Sequence, residues 1–199
     1  MRTQSSAAMR SGFAHGILFR LGETADLQAL CEIDLDAGEL FERAGLELSL
    51  PDDHEYLVAE RERWRRCLEA RTTIIATDMR GRAVGFAAVD LLDDEPYLEQ
   101  LSVRASCMRR GIGSALIHSA LDIARHGCAA TIWLTTYAHL PWNRPFYELH
   151  GFSVVPERRC GAEILRELGQ QRRWLPHPQE RIVMCKPLNG GAPPRWAVR

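Results

Sequence analysis

Apolar residues recur along this chain with two different periods, and each change of period marks an element. Residues 17–20 alternate as a short first strand. From 23 to 35 the apolar positions Leu27, Leu30, Cys31 and Leu35 take helical spacing, with Thr24 as candidate cap. Residues 36–50 are less regular, punctuated by Gly38 and Gly45 and closed by Pro51. Asp52 and Asp53 open a second helix running to about Ala70, with Tyr56, Leu57, Trp64 and Leu68 on its apolar face. Its acidic start and arginine-bearing end suit the helix dipole. The pattern then turns β-branched. Residues 72–77 and 83–92 read as a hairpin around the turn 78–82, residues 93–96 break it, and 97–103 form a third adjacent strand. A helix after Gly111 carries Ile112, Leu116, Ala120 and Ile123 on one face and stops at Arg125, His126 and Gly127. Beyond it the pattern predicts a strand at 131–135, a short helix at 141–149 with Gly151 just past its end, and a strand at 152–155. A short helix at 161–169 and a last strand at 181–186 follow. Hairpins at the front and a β-α-β crossover at the back predict an α/β fold: a mixed, mostly antiparallel central sheet flanked by helices.

Length and composition narrow this picture. The chain has 199 residues, which fits one domain over 17–188 between a flexible N-terminal segment, 1–16, and a Gly- and Pro-rich tail, 189–199, expected to be disordered. With 25 basic and 26 acidic residues the net charge is −1, so no global attraction to nucleic acid or an anionic membrane is expected. No apolar run approaches the ~20 residues of a membrane span, and the run at 17–19 is too short for a signal-peptide core. The six cysteines, Cys31, Cys67, Cys107, Cys128, Cys160 and Cys185, include no Cys-x-x-Cys pair, and the histidines no His-x-x-x-His pair. The expectation is a cytoplasmic protein with free thiols and no metal site. Cys107 alone lies in a basic turn, where neighbouring arginines favour a thiolate.

That turn carries the strongest chemical signal. A strand ending at Val103 leads through Met108, Arg109, Arg110, Gly111, Ile112 and Gly113 into the helix beginning near Ser114. Such a turn gathers backbone N–H groups at one point and adds the positive end of a helix, which together suit a phosphate or pyrophosphate. Gly111 and Gly113 permit an approach that a Cβ blocks, and the arginines add fixed charge. Two common nucleotide fingerprints fail. The dinucleotide pattern needs a third glycine where Leu116 stands, and the P-loop needs Lys-Ser/Thr where Ser114 and Ala115 follow Gly113. A plain tight connection is the competing reading of the turn.

Four features then coincide in order: the strand ending at Val103, the basic turn, the strand at 131–135, and the stretch Asn143, Arg144, Pro145, Phe146, Tyr147, Glu148, Leu149, His150, Gly151, Phe152. Together they resemble the GNAT superfamily of acetyl-CoA-dependent N-acetyltransferases, over roughly residues 19–188. The turn resembles that family's Gln/Arg-x-x-Gly-x-Gly/Ala pyrophosphate motif, with Met108 standing where the family has Gln or Arg. If recognition runs through backbone N–H groups, this departure costs little; if that side chain bonds a phosphate oxygen, CoA affinity is lower unless Arg109 and Arg110 compensate.

The resemblance implies acetyl-CoA as co-substrate, held by Leu101, Ser102, Val103, Met108, Arg109, Arg110, Gly111, Ile112, Gly113 and Ser114, with Asn143 and Phe146 on the pantetheine side. It implies Tyr147 as the acid for the departing thiolate, and a backbone N–H near Ser102 and Val103, at a strand bulge, for the oxyanion. A protonated amine cannot attack a thioester, so a base is needed. Glu99 is the first choice, on the strand entering the turn; Gln100 takes the productive face if the register is shifted by one. The acceptor is read as a primary amine on a small molecule. Selectivity is expected from Asp34, Asp36, Glu39, Glu42 and Glu47 with Phe41, and from Tyr137 and Trp142. The alternatives are a protein or peptide acceptor, or a non-catalytic acyl-CoA sensor. A homodimer is compatible with the resemblance.

Overall fold

The computed structural model describes residues 16–47, 50–127 and 129–188. Most of the expected flexible start, the expected disordered tail and Cys128 lie outside the described residues. Seven strands form one sheet in the order β1-β2-β3-β4-β5-β7-β6: β1 (Ile17–Leu21), β2 (Thr73–Asp78), β3 (Ala83–Leu92), β4 (Glu95–Val103), β5 (Thr131–Tyr137), β6 (Ser153–Val155) and β7 (Arg181–Pro187). Every neighbouring pair is antiparallel except β4 and β5. That mixed, mostly antiparallel sheet is the α/β architecture the period changes predict.

Helices α1 (Leu27–Arg43), α2 (Glu55–Glu69) and α5 (Ala162–Trp174) cover one face. Helices α3 (Ile112–His126) and α4 (Arg144–Leu149) lie on the other. The core is accordingly split. Leu116, Ile117, Ala120 and Leu121 of α3 pack with Ile74, Val84, Ile132 and Met184, while Leu30, Ile33, Trp64 and Leu68 of α1 and α2 pack with Ile75 and Phe86. No helix among the described residues is long and apolar enough to cross a membrane.

Several boundaries differ from the sequence expectation. α1 runs on to Arg43 because Ala37, Leu40 and Phe41 continue the apolar stripe, and an exposed Glu39–Arg43 pair at 2.8 Å supports the last turns. Its approach is capped by Glu23 and Asp26 rather than Thr24. α2 starts at Glu55, not Asp52, since the His54 ring accepts from Tyr56 N at 3.1 Å. α4 starts at Arg144 with Pro145 in its first turn, so Pro141 belongs to the preceding turn. α5 continues past Gly169 to Trp174. The break before β4 shrinks to Asp93 and Asp94, both left-handed, with φ of 52° and 60°. Asp93 caps α5, accepting from Glu163 N and Ile164 N at 3.0 and 3.1 Å. Gly161 makes room for it: a Cβ there would lie 2.1 Å from the Asp93 carboxyl.

Candidate active site

The parallel strands β4 and β5 pair at Tyr97↔Trp133 and then separate. Their splayed ends open a cleft of about 1370 Å³ through the sheet. One end is lined by the basic turn, the other by α1, α2 and α5. Strand separation leaves part of the β4 edge unpaired, and an unpaired edge offers backbone donors and acceptors to an extended ligand.

The turn has the backbone form that suits an anion. Arg109 and Gly111 are left-handed, with φ of 60° and 78°. For a non-glycine residue that conformation costs about 1–2 kcal/mol, and such strain concentrates at functional segments. The Met108 N–H bonds Ala105 O at 3.3 Å; after α3 starts, Ala115 N–H bonds Gly111 O at 3.0 Å. The first N–H groups of a helix have no partner within it, so those of α3 are available to a ligand. Met108, Arg109, Gly111, Ile112, Gly113 and Ser114 all line the cleft; Arg110 is exposed and does not. A Cβ on Gly113 would meet only the Phe146 ring, at 3.5 Å, so the protein itself does not demand glycine there and the open space is left for a ligand. Cys107, expected as a basic-turn thiol, is buried in the α3 core instead. These features fit a phosphate-bearing group such as that of CoA.

β4 supplies the cleft floor. Ala88 pairs with Gln100 and Val89 with Leu98, so Glu99 is an extra residue in the ladder, a β-bulge. The expected bulge near Ser102 and Val103 is therefore displaced to Glu99. Glu99 and Gln100 are therefore not alternatives for one face: the bulge sends both toward the same helices, and both line the cleft. Glu99 Oε1 accepts from Arg63 Nε of α2 at 2.5 Å, and Gln100 Nε2 donates to Asp34 of α1 at 2.5 Å. Ser102 Oγ donates to the same Asp34 oxygen at 2.7 Å. Leu101 and Val103 turn the other way and pack with the α3 core.

The Glu99 side chain is 3% exposed. Burial pushes its carboxyl up to about 7 although Arg63 pulls the other way. Arg63, 10% exposed, also lies 3.6 Å from Glu167, which accepts from Gln171 Nε2 at 2.9 Å. Burial raises Asp34 as well, against the bonds from Ser102 and Gln100, and lifts Glu60 well above the usual carboxylate range.

Tyr147 is half-buried on α4, edge-on to Phe146 and Phe152 with ring centroids 5.4 and 5.8 Å away. It lines the cleft, and burial pushes its phenol up to about 12. Asn143 occupies the N-cap of α4 but makes no side-chain capping bond. It too lines the cleft, as does Phe146.

Only part of the expected acidic rim reaches the cleft. Asp34 and Glu42 line it; Asp36, Glu39 and Glu47 do not. Asp36 instead accepts from Ala105 N at 2.5 Å, and Glu39 and Glu47 face solvent. Phe41, Tyr137 and Trp142 line the cleft and meet one another, with Phe41 6.2 and 6.0 Å from the other two rings, and Leu46 and Leu140 complete the cluster. The sequence reading missed Glu60, Arg63, Glu167 and Arg181. Glu60 and Arg63 stand on the same stripe of α2 as Tyr56 and Trp64, and a polar residue on an apolar stripe is the signal that marks them.

The family model described as Acetyltransferase (GNAT) family matches residues 32–152. Among solved structures, an acetyltransferase of the GNAT family from Staphylococcus aureus Mu50 has a TM-score of 0.65 at 15% identity, over 87% of this chain and 99% of that one. The ribosomal-protein-S18-alanine N-acetyltransferase from Escherichia coli has a TM-score of 0.58 at 20% identity, over 88% and 96%. N-acetylglutamate synthase from Neisseria gonorrhoeae, complexed with coenzyme A and N-acetyl-glutamate, has a TM-score of 0.60 at 17% identity, over 90% of this chain. The chain spans 36% of the Neisseria protein's length. At these identities the likeness shows the fold.

Proposed function

The chain belongs to the GNAT family of acetyltransferases, and from that premise we propose that it transfers an acetyl group from acetyl-CoA to a primary amine on a small molecule, by direct attack in a ternary complex. The observation that carries the reading is one cleft holding the anion-binding turn, a buried carboxylate and a phenol. Glu99 takes the proton of the attacking amine, as a carboxylate with a value near 7 can do at neutral pH. The amine nitrogen bonds the acetyl carbon and the carbon–sulfur bond breaks. Tyr147 gives its hydroxyl proton to the departing thiolate. The free N–H groups at the start of α3 hold the pyrophosphate, and Asn143 and Phe146 border the pantetheine arm. The bulge at Glu99 also leaves β4 backbone donors outside the ladder, where they serve the oxyanion. We place this activity in the cytoplasm.

We favour a small acceptor over a peptide because Phe41 of α1 packs with Tyr137, Leu140 and Trp142 of β5 and the turn after it, which ties α1 to β5 beside the cleft. Tyr147→Phe tests the acid. A thiol with a value near 8.5 is an easier leaving group than an amine, so the expected loss in kcat is about 10²-fold, at the low end for general acid catalysis. Acetyl-CoA affinity, read by calorimetry, stays unchanged. A variant that keeps full turnover removes Tyr147 from the chemistry.

A further inference from the structure

One cation in the cleft has no carboxylate to neutralise it. Arg181, the first residue of β7, is 7% exposed and lines the acceptor end. Its Nη2 donates to Gln171 Oε1 and, at 3.4 Å, to Thr135 Oγ1. Its guanidinium lies 4.5 Å from the centre of the Tyr137 ring, and its Nε is buried with no partner. Among the described residues no Asp or Glu lies within ion-pair distance of it. Arg63 is different, being neutralised by Glu99 and Glu167. Burying a guanidinium among neutral acceptors is unfavourable unless a counter-charge arrives, and a planar fork with an idle donor suits a carboxylate.

Glu60 complements it. Its carboxyl lines the same cleft with no hydrogen bond or ion pair among the described residues. Glu60 and Arg181 both lie near enough to the buried Tyr56 phenol to bias its ionisation, in opposite directions. Near Tyr56 the cleft therefore holds a carboxyl with no cation beside it, Glu60, and a buried guanidinium with no carboxylate beside it, Arg181. A simple cationic amine satisfies only the first. We infer that the acceptor is an amino-acid-type zwitterion whose carboxylate seats on Arg181 while its amine faces Glu60 and Glu99. This inference rests on the acetyl-transfer reading and narrows its substrate class.

The test is calorimetric titration of the CoA-loaded protein with lysine, glutamate and phenylalanine, each beside its α-carboxamide. At least one free acid is expected to bind about 10- to 100-fold more tightly than its carboxamide, the range for charge-assisted hydrogen bonds. Arg181→Gln erases that preference and Arg181→Lys keeps part of it, with far-ultraviolet dichroism checking that both variants fold. If Arg181→Gln does not fold, the wild-type acid–amide comparison decides alone. Equal binding of acid and carboxamide, no binding of any of the six compounds, or a preference that survives in folded Arg181→Gln overturns the inference while acetyl transfer stands. Failure of the folded wild type to bind CoA removes the acetyl-transfer reading, and this inference with it.

Discussion

Glu99→Gln lowers kcat by about 10²- to 10⁴-fold, the range general base catalysis spans, with acetyl-CoA affinity unchanged. The amide keeps the shape of the carboxyl but cannot hold the amine's proton. The pH dependence separates this from a packing effect. Wild-type kcat rises with pH through about 7, as Glu99 loses its proton, and then levels, because the Tyr147 value of about 12 lies far above the working range. In Glu99→Gln the rise near 7 disappears. Stability moves the other way. The folded-state value of Glu99 is raised, so the native protein binds this proton more tightly than the unfolded chain does. The stabilisation is complete below the ordinary carboxylate range and is lost as pH climbs through about 7. Glu99→Gln carries no such dependence, so its stability relative to wild type improves from pH 5 to pH 8, measured by urea unfolding at both values. An unchanged rise near 7 in the variant assigns the base to another carboxylate, Glu60 or Asp34.

Arg63→Met produces the largest loss of stability. Arg63 lies 2.5 Å from Glu99 and 3.6 Å from Glu167, and all three side chains are at least nine-tenths buried. Methionine fills the volume but leaves two buried carboxylates without their cation. Removing one partner from a buried ion pair costs about 3–5 kcal/mol, read as a lower urea midpoint at pH 8. The cost shrinks at pH 5, where Glu99 takes up a proton and no longer needs the guanidinium. The same loss moves the kinetics. Arg63 is the principal influence holding Glu99 down against burial, so without it the rise in kcat shifts above 7. A variant as stable as wild type, with the rise still near 7, shows that Arg63 does not set the charge state of Glu99.

How far the sequence carried these conclusions depended on how local the determinants are. β3 matches its expected bounds, 83–92, because a polar turn at one end and paired aspartates at the other fence in an apolar run interrupted only by Gly85 and Asp90. α3 is legible for the same reason: glycines at both ends, basic residues in its last turn and a clean apolar stripe all agree. α1 is misjudged beyond Leu35 because Gly38 reads as a breaker, whereas here it sits in open space on a helix whose buried side is kept by Ala37 and the half-buried Phe41. The bulge at Glu99 is illegible in principle. It is set by the pairing of β4 with β3, a long-range register that no period along one strand reports.

Site residues divide along the same line. The turn residues and Tyr147 sit in short contiguous motifs and reach the cleft together; only Arg110 points away from it. The charge network does not announce itself. Glu99, Arg63 and Glu167 come from β4, α2 and α5, and their meeting depends on α2 and α5 covering the same face of the sheet. Asp36 and Glu39 carry the right chemistry on the wrong side of α1, and Glu47 lies past its end, facing solvent. Acid content in a segment thus says little until the helix phase is known.

The measurement that bears most directly on this account is release of free CoA thiol from acetyl-CoA by the wild-type chain against a panel of small primary amines, amino acids and short peptides. Acetyl-CoA binding is followed by calorimetry on the same sample. The account predicts binding, turnover with small amines or amino acids ahead of peptides, and initial-rate patterns of a ternary complex in which both substrates must be present. A folded protein that does not bind acetyl-CoA contradicts it and returns the Arg109–Gly113 turn to a plain connection between β4 and α3.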